Sequence, residues 1–364
     1  MAEQKMEGPS FFDVVHSPYY ICIGNYEQKS AGIRALYYLC HVLNGQGQEA
    51  YILGADLDVT HLRAPRLQRK DFIRHQQGKQ IPIMVYPEVV PGNPYKMPHV
   101  VRWLLNKAGH LGGDEIFHET EMVFAYTADY IPEGHDLPLL SIPVVDCSIF
   151  HNRETPHDSQ RQGRVYYAHK YLANGYELTE HVKGAKSLCQ DVKITPDELA
   201  SILRSSELMY CYEPSSIIGE ALNCGCPVVI IPSVYTEENL SYTIAGEGIA
   251  STPSDEDIAY AKSTISIAQD NNFAFHGHCW QHLRNFIKAT QTEFSARQKE
   301  MNGSSLVWGD EVFELLNKIS SDTENKPRRR RGFNDKLWRQ KNVLLESHAA
   351  IMAERMANWQ YQPT

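Results

Sequence analysis

Between Tyr19 and about Ser320 the chain alternates short apolar runs with longer amphipathic ones. In the first half "YYICIGN", "EAYILGAD", "IPIMVYPEV", "EMVFAY" and "IPVVDCSIF" have the length and apolar density of buried strands. "SAGIRALYYLCHVLNGQG" carries apolar residues at helical spacing and predicts a helix from about Ser30 to Asn44, stopped by "NGQG". "MPHVVRWLLNK" reads as a second helix with Pro98 in its first turn, where a missing donor does no harm. The polar run "HNRETPHDSQRQG", residues 151–163, breaks the pattern, which restarts with "RVYYAHKY" and continues through "DELASILRSSELMYCYEP" to further helices. Strands that alternate with helices predict parallel sheets covered on both faces. The expected architecture is therefore α/β, with two Rossmann-like domains, 1–160 and 161–320, facing across a cleft. Residues 321–364 are expected to be a basic linker and an amphipathic helical tail.

The stretch "LMYCYEPSSIIGEALNCGCPVVIIPS", Leu208 to Ser233, is the most informative. Leu208–Tyr212 reads as a buried strand, Pro214 suits a first helical turn, and Gly225 offers a left-handed cap before the strand "PVVII". A helix starting near Glu213 would place Glu213, Ser216 and Glu220 on one stripe, within about 60° of one another. That stripe would begin at the carboxyl end of a parallel strand, where open α/β sheets bind ligands.

Composition narrows the class. At 364 residues, with 42% hydrophobic and 22% charged positions, the chain suits a two-domain globular enzyme. No apolar run approaches a membrane span, and "MAEQKMEGPS" lacks the apolar region of a secretory signal, so a cytoplasmic location is expected. The eight cysteines show no paired CxxC spacing, and "CGC" at 224–226 reads as packing beside a helix cap. Charge is uneven: residues 326–341 carry eight Lys or Arg against one Asp, so a body of about −16 bears a +7 segment.

"YEPSSIIGEALNCGCPVVIIPS" resembles the nucleotide-sugar motif of the retaining GT-B glycosyltransferases. "SAGIRALYYLCHVLNGQGQEAYIL", "VYPEVVPGNPYKMPHVVRWLLNK" and "VYYAHKY" are similar to members acting in bacterial surface-polysaccharide synthesis, including lipopolysaccharide or capsule. The resemblance implies transfer of a sugar from a nucleotide diphosphate sugar to a glycan or lipid-linked glycan acceptor, with retention, with the nucleotide sugar as co-substrate, no cofactor and no metal. It places Glu220 on the ribose hydroxyls and Glu213, as a catalytic residue, facing the transferred sugar. Ser215, Ser216 and Lys170 would meet the charge gathering on the diphosphate, and Gly32 would let backbone approach it. Only six residues separate Glu213 from Glu220, one fewer than the family's usual seven. His110, in the glycine-rich "NKAGHLGGDE", is a candidate catalytic contact with the acceptor, and "YPEVVPGNP", with Glu88 and Asn93, a candidate cleft loop beside a rigid-turn reading.

"DLD" at 56–58 copies the metal-binding pair of the other large glycosyltransferase fold, and His151, His157, His169, His276 and His278 lack Cys or carboxylate partners at zinc-ligand spacing. A sugar-nucleotide epimerase of the same fold and a non-catalytic membrane-associated module are the alternative functions. Nucleic acid is disfavoured because the folded body is acidic. Residues 328–359, basic and then amphipathic with Trp338 and Trp359 near the ends, suit either an anionic membrane surface at the inner face of the cell membrane or packing on the first domain or a second copy of the chain.

Overall fold

A computed structural model describes residues 16–28, 30–153, 161–189, 194–237, 246–301 and 308–324. The first unit contains β1 (Tyr19–Cys22), α1 (Ala31–Gly45), β2 (Ala50–Leu53), α2 (Arg69–Gln77), β3 (Ile83–Pro87), β4 (His99–Leu104) and β5 (Met122–Ala125). The second contains β6 (Arg164–Tyr167), α3 (His169–Ala173), β7 (Lys186–Ser187), α4 (Pro196–Ser205), β8 (Leu208–Cys211), α5 (Ile217–Asn223), β9 (Val228–Ile230), α6 (Val234–Glu237) and β10 (Ile249–Ala250). Two helices follow, α7 (Asp255–Met301) and α8 (Asp310–Glu324). The strands form two five-stranded sheets, ordered β2-β1-β3-β4-β5 and β10-β9-β8-β6-β7. All pairings within them are parallel, with Tyr19 opposite both Ala50 and Ile83, and Arg164 opposite Leu208. The two α/β units and the C-terminal helical part are the architecture expected from the alternating pattern.

Each sheet has the same winding: the first strand of the unit lies between the second and the third. Strand order therefore reverses between β1 and β3, and again between β6 and β8, and such reversals open a crevice at the carboxyl ends of the strands. Burial follows the winding. All four residues of β1 and all six of β4 are buried, as strands covered on both faces must be. In β8 the side chains alternate, with Met209 and Cys211 in one core and Leu208 and Tyr210 in another on the opposite face.

Within the segment 98–107, His99–Leu104 form a strand and not the helix that the spacing predicted. All six residues are buried, and the run pairs with β3 through Ile83–His99 and with β5 through Val101–Met122. Pro98 sits just ahead of β4, a position a strand tolerates as well as a helix. "IPVVDCSIF" also departs from expectation, because residues 142–150 form no strand. They run as an irregular connection between the units. Ile142 is buried in the first core and Phe150 in the second, and a Cβ on Gly219 would lie 3.2 Å from Val145.

Chain order and packing order diverge at the C-terminal end. At 47 residues, α7 is about 70 Å long, enough to leave the second unit and reach the first. Leu283, Phe286 and Phe294 are buried in the first core, Tyr19 Oη lies 2.7 Å from Thr290 Oγ1, and Gln291 bonds both the N–H and the carbonyl of Ser17. α8 adds Val312, Leu315 and Leu316, while Trp308 and Phe313 pack on Phe72 of α2. Domain limits at 160/161 and 320/321 remain a proposal from sequence, while Leu283, Phe286 and Phe294 of α7 and Val312, Leu315 and Leu316 of α8 serve the first core. The basic segment 328–359 lies outside the described residues.

Candidate functional site

The second crevice is built where β6 and β8 end. β6 delivers Ala168, His169 and Lys170, and β8 delivers Tyr212 and Glu213. Glu213 is only 2% exposed, and its carboxylate accepts the backbone N–H of Tyr171 at 2.9 Å. Burial raises its pKa, opposed by that N–H and by the charge and backbone of Lys170. Lys170, half-buried, is shifted the other way: burial lowers its pKa and Glu213 partly restores it. The carboxylate thus fixes the turn that carries the lysine. Ser215 is hydrogen-bonded to the Tyr167 side chain, and Ser233 Oγ donates to the Tyr212 carbonyl at 2.6 Å, locking the other edge of the turn.

α5 begins at Ile217, later than the Glu213 start expected from Pro214. Residues 212–216 are irregular because the Glu213 carboxylate is turned onto α3, and the first helical bond runs from the Glu220 N–H to the Ser216 carbonyl. Glu213 and Glu220 therefore do not share a helix face, whereas Ser216 and Glu220 do. The other end matches expectation: Gly225 at φ 72°, with N–H bonds from Gly225 to Leu222 and from Cys226 to Ala221, closes α5 in a Schellman motif.

Arg34 is the residue that sequence reasoning missed. It projects from the first turn and a half of α1, a helix started by Ser30, whose hydroxyl accepts the Ile33 N–H. Its Nη1 donates to Glu220 Oε1 at 2.9 Å and its Nη2 to Ser216 Oγ at 2.5 Å, so it joins the two units. Arg34 is 1% exposed, Glu220 6%, and Arg34 Nε has no protein partner. Periodicity gave no signal for it: Arg34 falls on the α1 stripe of Tyr38 and His41, which are only half-buried, and it is buried through its contact with the second unit, where a guanidinium requires an anion. The identity of that anion, 186 residues away, was not legible.

Lys170, Glu213, Ser215, Ser216 and Glu220 thus lie on the segments that follow β6 and β8, and Arg34 reaches Ser216 and Glu220 from the first unit. Gly32 lies in the helical first turn of α1, two residues before Arg34, and not in a loop. His110 stands apart. It is exposed in the loop after β4, and its backbone N–H bonds the Lys107 carbonyl. Asn93 is bound within its own loop, accepting from the Tyr86 hydroxyl and the Met97 N–H, which is the rigid-turn reading. Glu88 is fully buried at the end of β3. Its Oε2 accepts the Leu105 N–H at 2.8 Å, Oε1 has no partner, and burial pushes its carboxyl up to about 8. Asp58 of "DLD" is held by Arg66 at 2.9 Å. Among the described residues there is no group of three or more His, Cys, Asp or Glu that could hold a metal ion, and no helix is long and apolar enough to cross a membrane.

No family model matches the chain, and no curated protein matches it. Among solved structures it is similar to AviGT4, a glycosyltransferase involved in avilamycin A biosynthesis, at 12% identity and TM-score 0.40, over 85% of this chain and 96% of that one. It is also similar to the glycosyltransferase SnogD from Streptomyces nogalater, at 13% and 0.37, over 77% and 99% of the two chains. A third is the spinosyn rhamnosyltransferase SpnG complexed with thymidine diphosphate, at 14% and 0.35, over 83% and 96%. At these identities and TM-scores the functional reading rests on the chain's own residues.

Proposed function

We propose that this protein is a glycosyltransferase that moves a sugar from a nucleoside diphosphate sugar to a hydroxyl of a glycan or lipid-linked glycan. The observation that carries the reading is the convergence of Lys170, Ser215, Ser216 and Glu220 at the reversal between β6 and β8, with Arg34 brought against them from the facing unit.

Such a set suits a diphosphate leaving group. As the glycosidic bond breaks, negative charge accumulates on the β-phosphate, and fixed cations and hydroxyls in a half-buried crevice stabilise it with little reorganisation. Lys170 of the second unit and Arg34 of the first supply that charge, and Ser215 and Ser216 supply hydroxyl donors, so no metal is required by the proposal. Glu220 accepts from the ribose hydroxyls, sharing its carboxylate with Arg34. Glu213 acts first as a positioning residue, because its carboxylate holds the Lys170 turn through the Tyr171 N–H. Retention follows from the motif resemblance, and in that mechanism the departing phosphate oxygen takes the acceptor's proton.

Titration calorimetry with UDP, GDP, ADP, CDP and TDP tests this directly. One of them should bind, and Lys170→Met should weaken it about tenfold to a hundredfold, the value of a charge-assisted hydrogen bond. Absence of binding by all five, or unchanged affinity in the variant, refutes the assignment. Incubating the cognate nucleotide sugar without acceptor then separates transfer from epimerisation.

A further inference from the structure

The irregular connection between the units, the carboxyl end of α5 and the middle of α7 meet around one sulfur. Cys147 Sγ lies 3.4 Å from His276 Nε2, accepts from Asn223 Nδ2 at 3.3 Å, and has Asn272 Nδ2 at 3.9 Å. Asn272 also donates to Asn223 Oδ1 at 2.6 Å, so the amides around the sulfur are mutually oriented. Of the eight cysteines, seven are buried and Cys147 alone is partly accessible. It opens into a cavity of about 400 Å³, the size of a small-molecule site, walled by Val42, Leu62, Ile142, Trp280 and Leu283. None of Lys170, Glu213, Ser215, Ser216 and Glu220 lines this cavity, although its wall residue Val145 lies beside Gly219 and Tyr38 stands one helical turn from Arg34 on α1.

We propose that Cys147 is a covalent modification site whose thiol, with His276 as base, adds to soft carbon electrophiles such as α,β-unsaturated carbonyl compounds that seat an apolar body in this cavity. Burial raises the thiol pKa and lowers that of His276, so the resting pair is a neutral thiol beside a neutral imidazole, with the Val145 carbonyl 3.7 Å from the sulfur as the second acceptor of the thiol hydrogen. A neutral imidazole can take a proton, and the thiolate that forms meets N–H donors already aimed at it from Asn223 and Asn272. In the reaction sulfur bonds to the β-carbon while the C=C pair moves toward the carbonyl. The thiol proton passes to His276 Nε2 and then to the α-carbon. The S–H is thereby added across the double bond, no oxidant or reductant is consumed, and the imidazole is restored. The apolar walls favour an electrophile with a hydrophobic body and shed its water on binding. The inference is independent of the proposed glycosyl transfer.

The experiment uses the full-length chain and N-ethylmaleimide at low molar excess, followed by peptide mapping. The first adduct is expected at Cys147, with Cys279, which also lines the cavity but is 3% exposed, left unmodified. His276→Gln should slow the reaction about a hundredfold, the scale of a positioned general base. Leu62→Trp, which fills the cavity away from the amide network, should slow it while leaving His276 in place. Circular dichroism confirms that both variants are folded. First labelling at another cysteine overturns the proposal, as does a Cys147 rate that neither variant changes.

Discussion

Glu220→Ala is the sharpest perturbation of the candidate site, and its effect on stability can be reasoned from the geometry. The carboxylate is 6% exposed and receives Arg34, itself 1% exposed, at 2.9 Å. Removing it leaves the guanidinium buried with Ser216 Oγ as its remaining acceptor in this contact and with Nε already unpartnered. A buried ion pair broken from one side costs roughly 3–5 kcal/mol, because the surviving charge is stranded away from water. An exposed pair would cost at most about 1 kcal/mol. Arg34→Met removes the stranded charge and conserves most of the volume, so the double variant should recover a large part of the loss. Urea unfolding of the wild type, the two single variants and the double variant forms the cycle, and the coupling should exceed about 2 kcal/mol. A coupling below about 0.5 kcal/mol would show that the pair does not hold the two units together, and the inter-unit geometry argued above would be wrong. The same cycle guards the binding experiment. Glu220→Gln, which keeps an oxygen for Arg34, is the better variant for nucleotide affinity, since alanine disturbs the fold of the site as well as its chemistry.

Three further outcomes are expected. Glu88 ionises near its ordinary 4.5 when unfolded but only near about 8 when folded, so the native state holds the proton more tightly between these values. Stability from this group is complete below about 4.5 and is lost as pH rises toward 8, by roughly 5 kcal/mol at about 1.4 kcal/mol per pH unit; Glu88→Gln should flatten that decline, and parallel profiles for variant and wild type would refute it. Phe286→Ala, which removes a fully buried ring packed on Tyr19 and Phe124, should cost about 3–5 kcal/mol in chemical denaturation, and a loss under about 1 kcal/mol would show that α7 is not part of the first core. Gly225→Ala forces a Cβ at φ 72° to within 2.7 Å of Arg161 and Asn152 side-chain atoms; it should lower the melting temperature by several degrees, and an unchanged value would contradict the Schellman geometry.

The sequence by itself determined the alternation of strands and helices. β1, α1, β2, β3, β5, β6 and β8 all fall within the runs that periodicity singled out, since each run's burial demand is written in its own residues. It also placed Lys170, Glu213, Ser215, Ser216 and Glu220 near strand ends, because strand and turn signals are local. What only the tertiary structure decided involves partners distant in the chain. "HVVRWL" can satisfy an apolar helix or an interior strand equally well, and β3 and β5 on either side settle it as β4. Glu213 was expected to start a helix, but its carboxylate is captured by the Tyr171 N–H, 42 residues earlier, and α5 starts late as a result. Arg34 finds its anion 186 residues away, and the last part of α7 returns to the first core, both set by how two separately wound sheets come together. Local periodicity specifies which face a residue must bury; only the folded chain specifies what it is buried against.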